Sequence, residues 1–83
     1  MDQKQEMELR MEVRQYLIQI ALELEAAAGG AKGAAENIGD RELAIPYVQQ
    51  LYSRLSQATY LLDSFKRTID KAINSDKKAE QKG

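Results

Sequence analysis

The most regular hydrophobic pattern of the chain lies between Val48 and Ala72. Apolar residues recur there at alternating steps of three and four, the spacing of a heptad repeat, for roughly three and a half repeats. Such spacing places the apolar side chains along one side of an α-helix, so we predict a long helix over residues 46–75, with Pro46 at its first position. The predicted seam consists of Val48, Leu51, Leu55, Ala58, Leu62, Phe65, Ile69 and Ala72.

A second long helix is predicted over residues 3–28, where good helix formers dominate and neither Pro nor Gly occurs. Its apolar residues at helical spacing form one face, made of Leu9, Val13, Tyr16, Leu17, Ile20, Leu24 and Ala27. The two predicted helices match in length, and each has an apolar side to bury. The predicted fold is therefore all-α, an antiparallel two-helix hairpin that assembles into a helical bundle.

The first helix also has a second apolar stripe, on nearly the opposite side, made of Met7, Met11, Ile18 and Leu22. A two-helix hairpin needs only one apolar face on each helix, and exposed apolar patches mark interfaces. These four residues are the predicted partner or oligomer interface. The alternative is that a short third helix, formed by the connection, covers the stripe.

The predicted connection is Gly/Ala-rich and covers residues 29–45. Gly29 and Gly30 are expected to end the first helix, since glycine accepts the left-handed conformation that closes many helices. The following alanines can form a helical turn that ends at Asn37, and Asp40 is a predicted N-cap. A phosphate-binding loop is rejected, because the P-loop pattern requires Gly-Lys followed by a hydroxyl residue after a strand.

Composition restricts the function. The chain has 83 residues, 43% of them hydrophobic and 6% aromatic, which allows one domain (residues 1–76, followed by a charged flexible tail at 77–83) with a small core. Cysteine and histidine are both absent, which removes the commonest thiol nucleophile, general base and zinc ligands. We therefore expect no enzymatic activity, no metal, no cofactor and a cytoplasmic location, with oligomerisation as the remaining source of stability.

Charge, hydropathy and the aromatic residues bear on which ligands the chain can bind. The net charge is −1, with an acidic first half and a basic second half, which disfavours nucleic-acid binding. There is no membrane-spanning run. Tyr52 borders the predicted seam and Tyr60 points to the polar side, so both tyrosines are candidate contacts for a partner or a small ligand. Lys32, in the Gly/Ala-rich connection, is a third candidate contact.

In size and hairpin layout, over most of its length, the chain resembles two kinds of protein. One comprises the small helical-hairpin chaperones and adaptors of bacterial secretion systems, and the other the phage helical-hairpin proteins that oligomerise and sequester cyclic nucleotides. The first resemblance implies a non-catalytic protein that self-associates and binds a protein partner as adaptor, chaperone or inhibitor. The second implies an oligomer that binds a small ligand or nucleotide. Helix-based DNA binding ranks last.

Overall fold

The computed structural model describes residues 2–82, with side chains described for residues 2–74. This part of the chain forms two antiparallel α-helices, α1 (Gln3–Glu36) and α2 (Arg41–Lys82), joined by residues 37–40. The fold is thus the predicted all-α two-helix hairpin. Its Cα atoms span 65 × 19 × 12 Å, the shape of a single layer of two helices side by side. Neither helix, within the described residues, has a stretch that is both long and apolar enough to cross a bilayer.

Helix α1 continues past the glycines that were predicted to end it. Its start is capped by Asp2, whose carboxylate accepts a hydrogen bond of 2.7 Å from the backbone N–H of Gln5. Its end is capped by Asn37, whose side-chain amide donates to the Gly33 carbonyl at 2.8 Å. The predicted helix end at Gly29–Gly30 is therefore wrong. The long connection at 29–45 and its short third helix are wrong as well, because residues 29–36 are the last turns of α1.

The glycines serve close packing instead of chain reversal. Gly30 and Gly33 are both buried, and within the described residues no glycine has a positive φ angle. A Cβ atom on Gly30 would lie 2.8 Å from the carbonyl oxygen of Tyr47 and 2.9 Å from the backbone nitrogen of Leu51. The aromatic ring of Tyr47 occupies the space where Gly33 lacks a side chain. The missing side chains thus let the backbone of α2 approach that of α1 near the turn.

Helix α2 begins earlier than predicted, at Arg41 instead of Pro46. Asp40 caps it as expected, accepting hydrogen bonds from the backbone N–H groups of Glu42 at 3.1 Å and Leu43 at 3.3 Å. Pro46 lies inside the helix and removes one backbone donor there. The turn before it is held by the Asp40 cap and by burial of Ala44. The predicted helix end at residue 75 and the predicted flexible tail at 77–83 are also wrong as far as the structure describes them, because α2 continues to Lys82.

The core is small and differs in detail from the predicted seam. The described side chains that are buried and apolar are Ile20, Ala27, Ala44, Ala58 and Leu61. Leu61 is 8% exposed, whereas Leu62, which the seam places in the core, is 47% exposed. Leu55 of the seam, and Leu17 and Leu24 of the predicted α1 face, are likewise exposed.

Toward the open end the helices are joined by Tyr16 and Phe65, as predicted for both residues. Their rings meet edge to face, with centroids 6.1 Å apart.

Candidate interaction surface

One edge of the hairpin carries the polar contacts between the helices. Arg54 of α2 forms an ion pair with Glu23 of α1, with the guanidinium nitrogen 3.2 Å from the carboxylate oxygen. The side-chain amide of Gln50 donates a hydrogen bond of 2.9 Å to the backbone carbonyl of Ala26. These contacts define what we call the polar edge.

The other edge follows from helix geometry. On α1, Glu23 and Leu24 flank the buried side chains of Ile20 and Ala27, because residues one, three and four apart lie at neighbouring angles around a helix. Since Glu23 is at the polar edge, Leu24 must lie at the opposite one.

The same reasoning holds for α2, where Arg54 and Leu55 flank the buried Ala58. Because Arg54 is at the polar edge, Leu55 lies at the other edge. Leu24 and Leu55 therefore share one side of the hairpin, on which the two helices present their apolar flanks together.

We call this side the apolar face. Its large side chains are intermediate in burial or exposed, from 42% for Leu55 to 68% for Tyr52, and they run along most of the hairpin. On α2 the positions of the face recur at steps of three and four, as a second heptad stripe next to the buried one, in which Thr59 and Lys66 are the two polar residues. The face consists of Leu17, Ala21, Leu24 and Ala28 from α1 and of Ile45, Val48, Tyr52, Leu55, Leu62, Ile69 and Ile73 from α2.

Two shallow grooves lie on this side of the molecule. The first follows α1 and is lined almost entirely by apolar atoms, with two arginines at its rim; its residues are Leu9, Arg10, Val13, Arg14, Leu17, Ile18 and Ala21. The second lies near the turn and is lined by Ile38, Arg41, Ala44, Ile45, Val48, Gln49 and Tyr52. Both grooves are open to solvent and neither is an enclosed cavity.

The four residues predicted as an interface are all exposed, from 48% for Ile18 to 65% for Met7. Ile18 lines the α1 groove, whereas Met7 and Met11 line neither groove. Leu22 lies further round, beside Gln19 and Ala26, toward the polar edge. The structure thus joins one of the four residues, Ile18, to the apolar face, while the role of all four in binding stays a prediction.

The candidate ligand contacts Lys32, Tyr52 and Tyr60 do not converge on one pocket. Tyr52 belongs to the apolar face and the groove near the turn. Tyr60 lies eight residues further along α2, a rise of about 12 Å, and roughly a quarter turn away around the helix. Lys32 is exposed on α1 and lines neither groove.

Sequence reasoning missed that the exposed apolar surface extends over both helices. Leu17, Leu24, Leu55 and Leu62 were expected to be core and are surface residues. For Leu55 and Leu62 the signal is the second stripe of α2, in which Ile45, Tyr52 and Ile73 keep the heptad spacing outside the predicted seam.

Side-chain chemistry and comparison add no second site. Among the described residues, no group of three or more acidic side chains is placed to hold a metal ion. No protein-family model, curated protein or solved structure matches the chain.

Proposed function

We propose that this chain is a non-catalytic helical interaction protein that self-associates through its apolar face. In that assembled form it binds a protein partner, as an adaptor, chaperone or inhibitor in the cytoplasm. The observation that carries the proposal is the apolar face, an exposed apolar surface contributed by both helices on one side of the hairpin.

The layer structure of the molecule supports self-association. Stable domains are built from at least two packed layers of secondary structure, whereas this hairpin is one layer, 12 Å thick between its outermost Cα atoms. Its buried apolar core contains three alanines among five residues. A second helical layer on the apolar face would complete the core.

The energy available at this face is of the same size as the cost of association. Burying the exposed half of a Leu or Ile side chain contributes roughly 1 kcal/mol. The apolar face has six Leu or Ile side chains between 42% and 51% exposed: Leu17, Leu24, Ile45, Leu55, Leu62 and Ile73. Two such faces together release about 12 kcal/mol, which is comparable to the roughly 4–15 kcal/mol that association costs in lost translation and rotation. Tyr52, which is 68% exposed, adds to this total.

A charge placed on the apolar face tests the proposal. At micromolar concentration, light scattering coupled to size exclusion should find the unmodified chain as a dimer or larger. Leu55→Glu should give a helical monomer, because a carboxylate would be buried without a partner. Gln57→Glu is the matched control, since it adds the same charge two residues away, on the side of the polar edge, and should leave the assembly intact. A stable monomer for the unmodified chain contradicts the proposal.

A further inference from the structure

We infer that the apolar face is covered by a second copy of this chain in an antiparallel arrangement, with a two-fold axis passing beside Thr59. In this dimer α2 packs on α2 of the second copy and α1 packs on its α1, so that the turn of each hairpin lies over the open end of the other. This inference rests on the proposed self-association and specifies its geometry.

The area of the face suits one further hairpin. The exposed stripe of α2 runs from Ile45 to Ile73, a length of roughly 42 Å at 1.5 Å per residue. Across the 19 Å width of the hairpin this gives a footprint of roughly 800 Å². A standard stable interface buries about that area on each partner. A second hairpin of the same length and width therefore covers the face.

The exposed stripe of α2 is close to symmetric about Thr59. Ile45 and Ile73 lie fourteen residues to either side of it, and Tyr52 and Lys66 lie seven to either side. An isologous two-fold contact requires this kind of self-complementary surface. In the antiparallel pair, Ile45 meets Ile73 of the second copy.

The polar residues of the stripe can also be buried in this arrangement. Lys66 meets the ring of Tyr52 from the second copy, a pairing that suits an ammonium group and an aromatic face. The Thr59 hydroxyl already donates to the Leu55 carbonyl at 2.9 Å, so it can lie at the axis without losing a hydrogen bond.

The same axis gives a complementary contact between the two copies of α1. The interhelical pairs Glu23–Arg54 and Tyr16–Phe65 place Thr59 level with about Ile20 of α1. A two-fold axis at that level brings Ile18 against Ala21 of the second copy. The large side chain of Ile18 thus faces a small one, which lets the two copies of α1 approach closely at this level.

Charge favours the antiparallel arrangement over the parallel one. In the antiparallel dimer, Arg14 lies beside Glu25 of the second copy, and the symmetric pair forms twice. With both turns at the same end, α1 would instead stack on α2 of the second copy. Arg10 and Arg14 would then lie beside Lys66 of the second copy, which places like charges together.

Disulfide trapping tests this geometry directly, because the chain contains no cysteine. Under mild oxidation, Thr59→Cys should form a covalent dimer at least roughly tenfold faster than the control Gln57→Cys, since the two thiols meet at the axis at a high effective concentration. As a second measurement, Arg14→Glu should weaken the dimer and Arg14→Glu combined with Glu25→Arg should restore it.

The outcomes separate this inference from the proposed function. If the unmodified chain assembles but Thr59→Cys cross-links no faster than Gln57→Cys, the antiparallel geometry is wrong and self-association stands. If the charge exchange fails to restore a dimer that Arg14→Glu weakens, the pairing of the α1 helices is wrong. If no assembly forms, both proposals fail.

Discussion

Replacing Gly30 with alanine tests the closest approach in the fold. The added Cβ would meet the Tyr47 carbonyl oxygen at 2.8 Å and the Leu51 nitrogen at 2.9 Å, whereas ordinary contacts begin near 3.4 Å. Both neighbours are backbone atoms, so they can move only if the helices separate by roughly half an ångström. Separation weakens the dispersion contacts of every side chain packed near the turn.

Two opposing terms set the size of the effect. Overpacking a well-packed site costs about 1–3 kcal/mol. Alanine gains up to about 1 kcal/mol over glycine inside a helix. For Gly30→Ala we therefore expect a net loss of about 1–2 kcal/mol in the free energy of unfolding.

The neighbouring residue provides a matched control. A Cβ on Gly29 would have only the Gln50 side-chain nitrogen nearby, at 3.8 Å, so Gly29→Ala should keep the helix-propensity gain and stabilise by about 0.5–1 kcal/mol. Urea denaturation followed by circular dichroism measures both variants, at one protein concentration because assembly contributes to stability. If Gly30→Ala stabilises the chain as much as Gly29→Ala does, the helices do not meet at Gly30.

Two further predictions concern the turn and the polar edge. Asp40→Ala should lower the free energy of unfolding by about 1 kcal/mol through loss of the α2 cap, and Asp40→Ser should retain most of it; equal losses for both variants in urea denaturation contradict the capping role. Arg54→Ala should cost no more than about 1 kcal/mol, since Arg54 is 50% and Glu23 20% exposed, and the effect should shrink in high salt; a loss of several kcal/mol that salt does not change indicates that packing of the arginine stem dominates.

The ends of the helices could be predicted only where a local contact decides them. Asp40 and Asn37 cap their helices through hydrogen bonds to residues within four positions, so their roles can be recognised from the local sequence. The glycines cannot be interpreted in that way. Gly-Gly is compatible both with a helix end and with a close helix contact, and the deciding partners, Tyr47 and Leu51, lie far along the chain. The connection was therefore predicted too long.

The two-helix fold itself was predictable, because heptad spacing over many residues demands a helix whatever its partner. The choice between Leu61 and Leu62 for the core was not. The two leucines are adjacent, and each belongs to a regular stripe of three- and four-residue steps along α2. The spacing of apolar residues shows how wide the apolar side of α2 is. It does not show which part of that side faces α1. That orientation is set by distant contacts such as Gly30 with Leu51 and Glu23 with Arg54.

The double stripe of α2 is the reason for placing function on the apolar face. A helix that packs against one neighbour needs one heptad stripe, and the buried stripe through Ala58 and Leu61 already supplies it. The adjacent stripe through Leu55 and Leu62 adds an apolar width that the hairpin alone does not use. In a four-helix bundle each helix contacts two neighbours and needs both stripes. The two adjacent stripes that led to the wrong core prediction are thus the pattern expected of a helix that packs against two neighbours.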